Sequence, residues 1–567
     1  MTVSLPQSDP DPAAREAERA AQRQTYRYTW HRPEGVATAA EVPKADGFSA
    51  GVGVRFAGVT ARVKAHEVES SVGGALDRVA AAASASAGEP WLKRWAGAVK
   101  KVAEGEDDPR ATPEVALSFF DERPPFVAQL ADHPEQADRL FAWQRLGGSN
   151  PMALRACEAP GAVSDAHFAA AMAAAGIDGD SLGTARDEGR LFEADWTWLE
   201  GARTGALDGR DKHVHPARAL FVQQPRAFLP VSVEVADAVF TPGDGTAWEV
   251  AKLAAQCADL HEQALVWHLA RCHFQMDAFA LATLRQLADA HPVKVLLRPH
   301  LQYTLAINGQ VRDNLMKPGE DLETLLATTL GQSLWAVSDA VAAFDYPTAL
   351  PPNDVEARGI GDPTRLVHCP WRDDGLDVWG AIRDFVSTYL ALYYASDADV
   401  EADREVRDWA LDLRAHFGGR LRSVLVPTDR DALADLVSFV IWTAGPLHTV
   451  CNYSQFEYMS YAPNLPTALY GPAPRPGASE ADLHAQYLPR GQGMTQWAFF
   501  YEQTQLTENH LGAYPSGTFD DARVPPLVSS FVGALNAVET RIGERNATRP
   551  ASYDWLRPSR ITASIHS

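Results

Sequence analysis

The sequence predicts a mainly α fold, a large helical domain around one long central helix, with minor β-strands. Three observations predict it. Residues 248–288, WEVAKLAAQCADLHEQALVWHLARCHFQMDAFALATLRQLA, hold no proline or glycine and are mostly apolar, which fits one unbroken buried helix of about eleven turns. Two more long apolar stretches carry helical periodicity, VWGAIRDFVSTYLALYY (378–394) and ADLVSFVIWTAGPLHTVCNYSQF (434–456). Short strand candidates, ARALFVQQ and FLPVSVEVA, lie between 217 and 236.

Along the chain, residues 1–25 are polar and Pro/Ala-rich and read as a mobile or helical N-terminal tail. Residues 26–135 form an N-terminal helical part in which Ala-rich stretches such as ESSVGGALDRVAAAASASAGEPWLKRWAGAVKKV alternate with loops. From 136 to 567 helical periodicity runs on without an internal repeat or an interdomain linker, so this is read as one core. The Pro-rich run YAPNLPTALYGPAPRPGAS (461–479) is a loop between helices, and the acidic run DADVEADREVRD (397–408) a solvated surface.

Of the 567 residues 46% are hydrophobic, enough for a large core that still leaves room for a cavity. A net charge of −22 argues against nucleic acid and against electrostatic docking on anionic lipid. The five cysteines, Cys157, Cys257, Cys272, Cys369 and Cys451, are odd in number and include no C-x-x-C pair. They read as reduced thiols of a cytoplasmic protein rather than a disulfide framework or a zinc site. The N-terminal residues show no basic stretch followed by an apolar one, and no uncharged apolar stretch of spanning length is evident. No transmembrane segment is therefore expected. A lipid substrate would come from solution or through transient contact with a membrane surface.

On the long helix, His268 and His273 stand five residues apart. Five residues of regular α-helix turn about 500°, which leaves the side chains roughly 140° apart and unable to hold one ion. A π-type turn, with its i→i+5 bond, would bring them to one face, and such turns occur mostly at functional sites. The spacing alone is open to two readings: unrelated histidines, or a π-bulge metal site. His448 and Asn452, in LHTVCN, are i, i+4 and share a face of an ordinary α-helix. They are either a hydrogen-bonded pair or two further donors. Three imidazoles and a weak oxygen donor suit iron and are compatible with manganese, zinc or copper. A trivalent state calls for an anion. No Asp or Glu stands at ligand spacing, but the α-carboxylate of Ser567 is such an anion.

The chain resembles the lipoxygenases over several hundred residues. Their metal-binding helix reads H-x4-H-x4-H, followed by a histidine after seventeen residues and another after eight; here QALVWHLARCH (263–273) leads to His291 in AHPVK and His300 in LLRPH. Gln263 replaces the first histidine, which does not bind metal in the family, and His261 is out of register with it. The helix WTAGPLHTVCNYSQFEYMSYAPNLPT matches the family's H-x3-N, and the ending YDWLRPSRITASIHS is similar to the family's C-terminal segment. LFAWQRLGGSNP (140–151), WEVAKL (248–253) and the 378–394 stretch also look like lipoxygenase segments, and weaker similarity starts near VPKADGFSAG (42–51). No residues are left over for the N-terminal β-barrel of plant and animal members, so the chain is similar to the shorter bacterial forms.

The resemblance implies metal ligation by His268, His273, His448, Asn452 and the Ser567 carboxylate, Ser standing where the family usually ends in Ile. Gln455 would be an amide linking the ligands to the substrate channel. The implied cofactor is non-haem iron cycling between Fe2+ and Fe3+, with manganese as an alternative and O2 as co-substrate. The implied reaction is dioxygenation of a polyunsaturated fatty acid of linoleate or arachidonate type to a hydroperoxide. A bis-allylic hydrogen would be taken by a metal-bound hydroxide and not by a side chain. Leu260, Val311, Leu315, Leu325 and Leu326 would line the pocket or equally fill ordinary helix core. Val311 matches a position where Ala or Gly biases the carbon attacked, and its bulk implies S chirality. Leu465 stands where plant members carry an arginine near the pocket. His291 and His300, each beside a proline at a helix boundary, read as structural. Two alternatives remain: a lipoxygenase-fold hydroperoxide isomerase forming epoxyalcohols, and a metal-free lipid binder.

Overall fold

The computed structural model describes residues 3–64, 66, 110–416 and 426–566. Its axis is the predicted long helix, built from Thr246–Glu262, Gln263–Phe274 and Gln275–Gln286 in unbroken succession. The middle portion is π-wound. Almost all of it is buried, so each polar side chain on it needs a matched group. Asp259 pairs with Arg145 at 2.8 Å and accepts from Asn150 at 2.9 Å. Asp277 pairs with Arg312 at 2.9 Å. The helix Ala137–Gly147, which carries Arg145, is thereby fixed against the axis, which accounts for the LFAWQRLGGSNP segment.

A second long helix crosses the core. Arg430–Trp442 is α-helical, Thr443–Leu447 and Thr449–Tyr453 are π-wound, and Gln455–Met459 is α-helical again. The run Arg430–Met459 is long and apolar enough to cross a membrane by length and composition alone, contrary to the expectation that no such stretch exists. Its apolar window is 94% buried inside the protein, so the composition answers to a protein core. The helix Pro370–Leu390 packs against it and against Val524–Asn546.

The strands predicted between 217 and 236 are Ala217–Gln224 and Ala227–Val235, the centre of a five-stranded antiparallel sheet. Alternate residues serve two cores. Ala219 and Phe221 join the main core, whereas Leu220 and Val222 meet the helix Asp165–Ala174 in a small second one. Residues 461–479 form a loop, as expected.

Two surface expectations are corrected by charge pairing. Pro12–Thr25 is a helix, capped by Asp11, and it is docked rather than mobile. Arg15 donates to Glu405 at 2.6 Å and to Asp9 at 2.7 Å; Arg19 reaches Asp408 at 2.7 Å and the Gln286 carbonyl at 2.8 Å. The run 397–408 is correspondingly not all solvated, since Asp403 and Glu405 are fully buried. Asp403 faces His291 at 3.0 Å and Tyr394 at 2.8 Å. Residues 26–135 include the hairpin Tyr28–His31/Glu34–Ala39, helical turns at 50–64 and the helix Pro125–Asp132. The Ala-rich stretch 69–102 lies outside the described residues. All five cysteines are buried and free of disulfides.

Candidate metal centre

The π-wound segment does what the five-residue spacing requires. His268 and His273 face one another with Nε2 atoms 3.1 Å apart, and His448 joins them from the second helix. One nitrogen from each of the three lies within 4.8 Å of the others. Ring centroids are 4.7, 5.7 and 5.3 Å apart for the 268–273, 268–448 and 273–448 pairs. All three are buried. Burial holds His268 well below the ordinary imidazole value and brings His273 to about 4. Both rings are therefore neutral, the form that ligates a metal.

His448 and Asn452 share a face through π-turns and not through the ordinary α-turn that the spacing predicts. Asn452 is buried beside His268, whose charged form it favours as a hydrogen-bond partner, and its amide donates to the Gln503 carbonyl at 3.0 Å.

Surrounding groups fix the rings. Asn308 donates through Nδ2 to the His273 carbonyl at 2.8 Å and to Asp277 at 2.9 Å. Its oxygen is then the acceptor for His273 Nδ1–H at 2.7 Å. That bond sets the tautomer and leaves the Nε2 lone pair aimed at the other histidines. Gln455 sits 3.1 Å from His268 Nδ1 and also lines the adjoining cavity, so it spans ligand and cavity. Three buried, converging imidazoles with an amide oxygen nearby make a donor set that fits a divalent transition metal.

Ser567 lies outside the described residues. The residues before it, Ile561–His566, are buried against the second histidine helix. Thr562 N donates to Thr449 Oγ1 at 3.1 Å, and His566 Nε2 lies 3.3 Å from the Tyr453 hydroxyl. A Cβ on Gly445 would come within 2.8 Å of the Thr562 carbonyl, so glycine permits this close approach.

The cavity beside the histidines is lined by Val311, Leu315, Leu325 and Leu326, four of the five predicted pocket residues, with Phe499 and Phe500 opposite. Leu260 is fully buried in the core and does not line it. The open volume is about 50 Å³, well under the range typical of small-molecule sites, so a fatty chain requires these side chains to move apart. Leu465 is buried core.

His291 and His300 have structural partners. His291 caps the helix Pro292–Leu297 and faces Asp403; His300 meets the Ala563 carbonyl at 2.9 Å and the Tyr514 hydroxyl at 3.1 Å. Sequence reasoning missed Asn308, and it missed the groups that hold 321–327 over the cavity. Lys212 donates to the carbonyls of Glu323, Thr324 and Leu326, Gln492 to that of Leu325, and His261 accepts from Ala327 N. Each meets its target across more than 60 residues, with no periodic signal to find it.

Fold and site together define a helical protein with a nitrogen-rich, non-haem metal centre. The family model for lipoxygenase matches residues 218–549. The linoleate 9/13-lipoxygenase of Pseudomonas aeruginosa is 32% identical, over 80% of this chain and 68% of its own. The polyunsaturated fatty acid lipoxygenase ALOX8 of Mus musculus is 30% identical, over 76% of this chain and 65% of its own. The chain thus spans about two thirds of the length of these relatives. The structure of a calcium-dependent 11R-lipoxygenase superposes with a TM-score of 0.83 at 23% identity, covering 100% of this chain and 83% of that one, a likeness of fold. This chain belongs to the lipoxygenase family.

Proposed function

We propose that the protein is a dioxygenase of polyunsaturated fatty acids that holds a non-haem iron through His268, His273, His448, Asn452 and the Ser567 carboxylate, and that it works in the cytoplasm. The observation that carries this reading is the convergence of three buried imidazoles from two π-wound helices beside an apolar cavity. Support for the carboxylate comes from the buried course of Ile561–His566 toward Thr449 and Tyr453. Iron is favoured over manganese by the predominance of imidazole donors.

When bound, the metal supplies the one-electron redox chemistry that removes a bis-allylic hydrogen from a cis,cis-1,4-pentadiene so that O2 can add. The protein's own part is positioning. Val311, Leu315, Leu325 and Leu326 hold the diene against the histidine face. Asn308 and Gln455 keep the imidazoles aligned, and the apolar walls exclude water. No side chain among those lining the cavity is needed as a base.

The test is incubation of purified protein with linoleate and, separately, with its hydroperoxide, combined with metal analysis. Conjugated-diene absorbance growing from linoleate, with about one iron per chain, is the expected result. Turnover of the hydroperoxide alone would point to an isomerase; folded protein without metal would remove the reading. Extending the chain by one residue past Ser567 is expected to lower iron content, which tests the carboxylate.

A further inference from the structure

Behind the metal centre, on the opposite face of the same π-wound helix, lies a second cavity of about 410 Å³. It shares no lining residue with the cavity beside the histidines: residues 264, 268, 269 and 273 face that one, whereas Trp267, Arg271 and Gln275 face this one. Its volume is that of a small-ligand site.

The polar groups of its wall are unusual. Gln275 is 1% exposed, and neither its amide nitrogen nor its amide oxygen has a hydrogen-bond partner among the described residues. The same holds for Trp267 Nε1, Thr443 Oγ1 and Arg271 Nη1. The Arg271 guanidinium makes no ion pair within 4 Å among the described residues; it lies over the Phe344 ring, 5.1 Å away, and only the exposed Asp345 of the same wall acts on it as an opposite charge. Of the carboxylates of this wall, only Asp354 is matched by another cation. Asp354 pairs with Arg358 at 2.6 Å and accepts from Trp371 Nε1 at 3.0 Å. Asp345 accepts from the Thr348 hydroxyl at 2.9 Å and its N–H at 3.4 Å. The rest is apolar, including the aromatic pairs Trp371–Trp442 and Phe344–Phe439.

Each buried amide or hydroxyl left unpaired is costly, and so is a half-buried cation balanced only by an exposed carboxylate. Four unpaired polar groups converging on one cavity, two of them donors only and all four able to donate, describe a receptor for an anion. The aromatic and aliphatic remainder describes the body to which that anion is attached. We propose that this cavity binds a monocarboxylate with an apolar body, its carboxylate taken by Arg271 with Trp267, Gln275 and Thr443, and its body held among Phe344, Phe439 and the tryptophans. The site is separate from the metal centre and does not depend on how that centre reacts.

Dodecanoate is a suitable probe, since it carries the carboxylate and an apolar chain but no 1,4-diene. It is titrated calorimetrically into metal-loaded protein, into Leu326→Trp, which fills the cavity beside the histidines, and into Arg271→Met and Gln275→Leu. Saturable binding is expected in the wild type and in Leu326→Trp, weakened at least about tenfold in Arg271→Met and in Gln275→Leu. Dodecanol should bind at least about tenfold more weakly than dodecanoate. Unliganded Arg271→Met should melt no lower than the wild type, because it removes a half-buried cation that makes no ion pair, and the wild type and Leu326→Trp should gain more melting temperature on adding dodecanoate than Arg271→Met does. Should Arg271→Met fail to fold, its charge has a structural counterpart and the proposal falls. It falls equally if dodecanol matches dodecanoate, or if binding vanishes in Leu326→Trp, which would leave this cavity to water.

Discussion

His273 depends on Asn308 for a usable nitrogen, because the amide oxygen takes the Nδ1 proton and leaves Nε2 bare. Asn308→Leu should therefore lower metal affinity about 10- to 100-fold, read by competition with a metal indicator; unchanged affinity would show that the ring keeps its tautomer unaided. Glu457 offers a second test. It lines a cavity of about 630 Å³ and accepts from Trp555 Nε1 at 2.9 Å. Burial pushes its carboxyl up to about 7, against the hydrogen bond from Trp555. The unfolded chain releases that proton near pH 4.3 whereas the folded protein keeps it, so stability falls as pH rises from about 4.3 to about 7. Glu457→Gln should melt with the wild type at pH 5 and about 1–3 °C above it at pH 8. A difference that does not grow with pH would contradict this. At this scale the spacing of His268 and His273 was open to two readings, and it was the lipoxygenase resemblance that singled them out together with His448. Asn308 was invisible, since its bond to His273 spans 35 residues and nothing in its neighbours announces it.

Helices with strong periodicity or no breakers were legible as elements. The central helix and the strands at 217–236 stand where periodicity places them. The acidic run 397–408 was not, because a charge run reads as solvated unless its counter-ions are known. Those counter-ions, Arg15 and Arg19, sit about 390 residues away on a helix whose composition resembles a free tail. Deleting residues 3–25 would strand Glu405 in the core without a cation. A loss of about 3–5 kcal/mol in unfolding free energy is expected by urea titration, and Glu405→Gln in the shortened chain should recover part of it. An unshifted midpoint in the deletion would mean that the helix is only laid on the surface.

For the molecule as a whole, the resemblance foretold that the core would enclose a metal centre, but the size of the cavity beside it depends on side-chain packing that no motif encodes. The three histidines and Asn452 are at most 8% exposed. A metal held there can exchange only when the core opens. Bound metal should therefore survive hours of excess EDTA at neutral pH and be released together with urea unfolding, followed by metal content after desalting. Stripping within minutes in the absence of denaturant would reveal an open route to the centre.

The widened winding of residues 263–274 has a consequence for chain length. In that stretch every turn holds one residue more than an α-helix would, and the surplus is what lets 268 and 273 look the same way. A residue removed there with the winding of the remaining turns kept would swing everything C-terminal to it by about 100°, turning Asp277 away from Asn308 and Arg312 at one stroke. Length changes in this stretch are thus far less tolerable than substitutions, whereas the exposed residues 475–477 of the 461–479 loop are bound to no such rotation.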